Sequence, residues 1–509
     1  YFTTPIYYVN DKPHLGTAYA TIMTDILSRY TRFLGYETFF LTGTDEHGQK
    51  VQQAAEKRGI DPQTHCDELS ENFKNAWTNL NVGFDIFFRT TANFHKQAVQ
   101  KALQQLFDQD LIYSDTYEGW YSVSEEIFYT EKDLVDGKSP TGKEVQKITE
   151  KNYFFRMSKY QQQLIDHINA NPRFILPDYR KNEILGFLKK PLHDLCISRP
   201  KNRLNWGIEL PFDKDYVTYV WFDALLNYAT GVGYMQKDRT QDFHKWWESK
   251  ESYICHILGK DILTTHAVYW PTMLMALGVR LPDTIFGHGW ILNKDNDKMS
   301  KSVGQVVDPL QLKDVIGLDR LRYFFAKEIH FGNDAPFSME LVLNRVNNDL
   351  SNNLGNLLSR TTNLVAKFFD GKAPGFSEKI DIQDFQKLTK FTAETVRDKV
   401  LLLSPSQALE QIIIMLDETN RFLEAQAPWK TAKEDLPLAG DVLHVSLEVL
   451  RCAGLLLLPV MPEKMNELLE RLSVSNRDFA SANVFGIVKG VAITKGEPLF
   501  PRLDPKLEN

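Results

Sequence analysis

Scarcity sets the first limits on this chain of 509 residues. Its four cysteines, Cys66, Cys196, Cys255 and Cys452, lie far apart and form no close-spaced pair. That excludes a disulfide-stapled scaffold, and free thiols in a reducing compartment are expected. No run of about twenty apolar residues occurs, so no membrane-spanning helix is expected. Internal repeats and low-complexity stretches are missing as well, which leaves no sign of a repeat array. Positive charge is not in excess: the net charge is −7, which excludes a broadly basic nucleic-acid coat but leaves room for local basic patches. The chain has no initiator Met and opens directly in a strand-like run, so no leader peptide is expected within it.

What is present fits a globular protein, with 43% apolar and 25% charged residues. The length calls for two to four domains. Tyr1 to Val9 is rich in β-branched and aromatic residues and predicts a buried strand. Tyr19, Ile22, Met23, Ile26, Tyr30 and Phe33 then recur at helical steps. His14 and Gly16 therefore fall at a strand-to-helix turn, where glycine lets a ligand approach the backbone and the helix N-terminus favours a phosphate. A second strand-like run, Thr38 to Thr42, ends in Gly43-Thr44-Asp45-Glu46-His47-Gly48. With helices expected over Gln49 to Arg58 and Cys66 to Leu80, the alternation predicts a parallel sheet. Ligands of such sheets bind beyond the carboxyl ends of the strands, where His14 and Asp45 lie.

The pattern changes near Leu111, where short polar segments precede a helix expected over Glu150 to Asn171. The sheet is expected to resume with Tyr216 to Trp221, then Tyr253 to Gly259 and Thr284 to Gly287. Asp297-Lys298-Met299-Ser300-Lys301-Ser302 is a polar loop whose two lysines could move with a leaving pyrophosphate. From about Asn344 strand signals vanish, and amphipathic helices around Leu409 to Leu416 and Val442 to Leu458 predict a bundle.

Together Pro13-His14-Leu15-Gly16-Thr17 and Lys298-Met299-Ser300-Lys301-Ser302 resemble the paired signatures of class I aminoacyl-tRNA synthetases. Thr3 to Thr17, Gly43 to Gly48, Tyr219 to Tyr228 and Gly259 to Trp270 narrow the resemblance to methionyl-tRNA synthetases, over essentially the whole chain. It implies an α/β fold: a Rossmann-type parallel sheet split by an inserted connective domain and followed by an all-α anticodon-binding bundle. Expected boundaries are 1–110 and 212–290 for the two halves of the catalytic domain and 111–211 for the insertion. The lysine loop and stem-contact region would cover 291–343, and the anticodon domain with its C-terminal strap 344–509.

The activity implied is ATP-dependent, AMP-forming ligation of methionine to its tRNA. His14, Thr17, Lys298 and Lys301 are the implied catalytic residues, with Gly16, Met299 and Ser300 also at ATP, which brings Mg²⁺. Thr17 stands where the family usually has histidine, and a hydroxyl can donate a hydrogen bond but carries no charge. Ile6, Tyr8, Asp45, Trp221, Ala224, Tyr228, Ile262, His266 and Trp270 match the methionine pocket, with Asp45 placed for the substrate ammonium. Asn356, Arg360 and Trp429 match the anticodon-reading residues.

The form resembled lacks the zinc-binding cysteines and a C-terminal dimerisation domain. Tyr121-Ser122-Val123-Ser124-Glu125 and Lys138 to Gly142 stand at the zinc knuckle, so no structural zinc is expected and Trp120 and Tyr121 should pack it instead. A monomer is expected, without membrane association, in the cytoplasm, with an organelle left open. Competing readings are a class I synthetase for leucine, isoleucine or valine, a non-catalytic tRNA-binding paralogue, and a small nucleotidyltransferase. An insertion of roughly 100 residues is small for the editing domain of the first. Intact lysines speak against the second, and the bundle against the third.

Overall fold

The computed structural model describes residues 1–10, 12–122, 127–129, 131–293 and 307–508. The chain divides into two units, one of Tyr1–Pro13 with Phe39–His288, the other of His14–Thr38 with Gly289–Asn509.

A six-stranded parallel sheet organises the first unit. Its strands are β1 (Phe2–Tyr8), β2 (Phe40–Asp45), β3 (Ile86–Arg89), β4 (Ile175–Leu176), β5 (Cys255–Gly259) and β6 (Thr284–His288). Their spatial order is β3-β2-β1-β5-β6-β4, with every pairing parallel. The order reverses between β1 and β5, which makes the carboxyl end of β1 the topological switch point where ligands of such sheets bind. Every residue of β2 is buried, as expected for a strand covered on both faces. Its polar members are accommodated by hydrogen bonds such as Thr4 Oγ1 to Thr42 Oγ1 at 2.7 Å. Gly43 is required by close approach, because a Cβ there would stand 2.1 Å from the Phe88 carbonyl oxygen of β3.

Two readings of this unit change. Glu150 to Asn171 is not one helix: Gln146–Phe155 is a strand antiparallel to Ile112–Ser122, and the helix is Gln161–Ala170. Tyr153-Phe154-Phe155 has cross-strand partners to pack on, including Tyr113 stacked at 5.8 Å on Phe154, and such pairs stabilise strand over helix. Tyr216 to Trp221 does not rejoin the parallel sheet. Asp213–Thr218 pairs antiparallel with Glu209–Leu210 and Ser198–Pro200, and a helix begins at Val220. The alternating pattern marked a strand but could not say which sheet it joins. Ile175–Leu176 extends the main sheet from inside the stretch expected to be an insertion.

Among its described residues the second unit is mainly helical, with a short pairing of Ile291–Leu292 with Ala335–Pro336 and an isolated bridge between Lys372 and Ala492. Leu436–Leu457 is buried from Ala439 onward on all sides, so its polar residues must be partnered. Asp441 accepts from Ser377 N, Ser377 Oγ and Lys379 N, and Arg451 holds Glu448 at 2.9 Å. Arg322, also fully buried, donates to Asp25 at 2.6 Å and to the Val460 carbonyl at 2.8 Å. Met339–Val346 runs through a wide π-type turn, Asn347–Gly355, into the helix Asn356–Phe368. The terminal strap is tied to that turn by reciprocal bonds between the Asn347 amide and the Leu503 backbone.

Candidate active site

In the first unit the candidate pocket residues come from three places. Tyr8 ends β1 and Asp45 ends β2, and the two are register partners. Trp221, Ala224 and Tyr228 share one face of the helix Val220–Thr230. Ile262, His266 and Trp270 follow β5, but not on a regular helix. The segment opens as a tight turn over Lys260–Ile262, widens over Thr265–Tyr269, and becomes α-helical from Trp270. Wide turns of this kind often mark functional sites.

Hydrogen bonds fix the protons. The Ile262 carbonyl can only accept, so His266 Nδ1, 2.9 Å away, carries the ring proton. His266 Nε2 then accepts from the Tyr228 hydroxyl at 2.8 Å. Burial lowers the His266 pKa to about 4 and raises that of Tyr228, so both are uncharged at neutral pH. Behind them Trp270 Nε1 donates to His256 Nε2 at 3.2 Å, which leaves His256 Nδ1 to donate to Thr3 Oγ1 at 2.8 Å. Trp270 is wholly buried and backs the pocket, whereas Trp221, Tyr8, Ile6 and Ile262 stay partly accessible. Tyr8 and Trp221 meet edge to face at 6.5 Å. Asp45 is the one carboxylate among the nine candidates, and its charge contributes to the raised pKa of Tyr228.

The His14 turn belongs to the second unit. His14 caps the helix Leu15–Phe33, its Nδ1 accepting from Gly16 N at 3.1 Å and Thr17 N at 3.4 Å. Thr17 Oγ1 reciprocates by accepting from His14 N at 3.0 Å. The neutral ring therefore keeps its proton on Nε2, as a donor. Gly16 is small for a reason the sequence did not show: a Cβ would sit 3.1 Å from the His14 ring itself. Lys298, Met299, Ser300 and Lys301 lie outside the described residues, as do Val123, Ser124 and Glu125 of the knuckle. Tyr121 in that knuckle is buried, with the Arg203 guanidinium over its ring at 4.3 Å.

The other candidates also gather within the second unit. Asn356 and Arg360 stand one turn apart on the helix Asn356–Phe368, with Asn356 exposed. Arg360 lies over the Trp429 ring at 4.9 Å and donates to Glu424 at 2.7 Å. Trp429 follows Ala427, whose left-handed backbone (φ 42°) ends the helix Pro405–Gln426.

Some participants were not legible. His256 had no local signal. His47 and Asp223, 2.7 Å apart and buried, could have been suspected only from their neighbours Asp45 and Trp221.

A switch-point pocket on a parallel sheet, an imidazole-capped helix and a separate helical bundle describe a class I aminoacyl-tRNA synthetase. The class I tRNA synthetase (M) family model matches residues 1–149 and 131–362, and the model for the anticodon binding domain of methionyl tRNA ligase matches 370–506. The methionine–tRNA ligase of Caldanaerobacter subterraneus subsp. tengcongensis is 42% identical over 515 residues, covering 100% of this chain and 79% of the relative. That of Rickettsia conorii is 41% identical, covering 99% of each. Mycobacterium tuberculosis methionyl-tRNA synthetase in complex with methionyl-adenylate superposes with a TM-score of 0.93 at 40% identity, covering 99% of each chain. The chain belongs to the methionyl-tRNA synthetase family.

Proposed function

We propose that this chain activates methionine with ATP and ligates it to methionine tRNA. The observation that carries the reading is an uncharged aromatic wall beside a single carboxylate. Asp45 suits the substrate ammonium. Tyr228 and His266, neutral and hydrogen-bonded to each other, suit a thioether that gains from aromatic contact and from leaving water. Ile6, Tyr8, Trp221, Ala224, Ile262 and Trp270 complete that wall.

The methionine carboxylate attacks the α-phosphorus of ATP, supplied as its Mg²⁺ complex, and the bond to pyrophosphate breaks. A terminal adenosine hydroxyl of the tRNA then takes the methionyl group and AMP leaves. His14 donates from Nε2 to phosphate, at the positive end of a 19-residue helix, with Gly16 backbone beside it. Thr17 acts through the cap that orients His14. Lys298 and Lys301, which flank Met299 and Ser300 in the sequence, neutralise the leaving pyrophosphate. Asn356, Arg360 and Trp429 read the anticodon. The chain works as a monomer in the cytoplasm or an organelle, and its dispersed cysteines give it no structural zinc site.

ATP–pyrophosphate exchange with each standard amino acid tests the proposal. Methionine should drive exchange, and equal exchange with leucine would overturn it.

A further inference from the structure

The helix that carries Trp221, Ala224 and Tyr228 has a second face. Asp223, Asn227 and Thr230 line it at steps of four and three, and all three are fully buried. A buried polar stripe is costly unless partnered. Two histidines meet it: His47 Nδ1 lies 2.7 Å from Asp223 Oδ2, and His95 Nδ1 lies 2.8 Å from Thr230 Oγ1. His47 is two residues beyond Asp45, at the end of β2. Asp223 Oδ1 and Asn227 Oδ1 are buried with no hydrogen-bond partner among the described residues.

That arrangement is poor value for stability alone. A carboxylate taken wholly out of water and half satisfied is commonly no better than a well-packed apolar residue. What it does provide is a directional tie between two elements of the same unit. One end is the β2 turn that presents Asp45, and the other is the helix that presents Trp221 and Tyr228. Asp223 also lies in the first turn of its helix, where the dipole favours a carboxylate.

We infer that His47 and Asp223 are a positioning pair that sets the spacing between the Asp45 carboxylate and the Trp221–Tyr228 face, and thereby the fit for methionine. The inference rests on the methionine reading of this pocket. Neither residue touches the substrate; both act through neighbours.

The test is exchange kinetics on the full chain, normalised by active-site titration so that unfolded protein does not count. Asp223→Leu and His47→Ala remove the tie. Asp223→Asn and His47→Asn keep an acceptor and a donor at the same places. The first two should raise the methionine KM by about tenfold or more and leave the ATP KM within about twofold, whereas the second two stay within about threefold of wild type. Should Asp223→Leu fail to fold, the contrast of His47→Ala with His47→Asn carries the same comparison. A methionine KM unmoved in the first two, or all four variants falling in kcat alone, would overturn the pair. A wild-type chain without methionine-dependent exchange would instead overturn the functional reading beneath it.

Discussion

At position 228 the hydroxyl matters as much as the ring. Tyr228→Phe would leave His266 Nε2 buried and unpaired, at a cost of roughly 1–3 kcal/mol. The methionine KM should rise by about five- to a hundredfold with the ATP KM unchanged, and an unaltered methionine KM would remove Tyr228 from the pocket. Lys301→Ala should lower kcat of exchange by more than about tenfold, since its charge is needed most in the transition state. An unaffected rate would refute the role of Lys301. Tyr228, His266 and Asp45 were named from the family resemblance, and the structure brings the first two within hydrogen-bond distance. The hydrogen bonds behind them were not legible, because Thr3, His256 and Trp270 meet only when β1, β5 and a later helix come together. Gly16 was legible as a small residue, but what crowds it is the neighbouring imidazole.

At the scale of elements, the helix Asn356–Phe368 presents Arg360 against Trp429, and stacking on such a platform is worth roughly 1–3 kcal/mol per base. Trp429→Ala should weaken use of methionine tRNA by about ten- to a hundredfold, with tRNA-independent activation nearly unchanged. Loss of both activities with folding would make Trp429 a core residue. Arg322→Ala should destabilise the second unit by about 3 kcal/mol, because it strips a buried Asp25 of one of its two arginines. Chemical denaturation checks this, and a shift below about 1 kcal/mol would contradict it. The helix Gln49–Arg58 was readable to the residue, and Gly59 closes it in the left-handed region. The strand at Tyr153 to Phe155 was not, and at Tyr216 to Thr218 the strand was readable but its sheet was not, because both depend on partners distant in sequence.

For the molecule as a whole, burial sets a pH dependence. His95 is pushed down to about 3 and His266 to about 4, both chiefly by desolvation. Unfolded, each titrates near 6.5, so below that value the unfolded chain takes up protons that the folded chain refuses. Their contribution is complete above about pH 7 and is lost progressively as pH falls toward 4. His95→Asn cannot be protonated, so its stability deficit against wild type should shrink by about 2 kcal/mol between pH 7.5 and 5.0 in urea unfolding. A pH-independent deficit would contradict the neutral buried state. Composition reported none of this: a net charge of −7 hides both the buried imidazoles and the basic groups suited to phosphates. The central claim, an uncharged aromatic pocket beside one carboxylate that selects methionine for adenylation, is tested most directly by ATP–pyrophosphate exchange across the standard amino acids. The account predicts exchange with methionine far above every other amino acid. Comparable exchange with leucine, isoleucine or valine, or none with methionine, would contradict it.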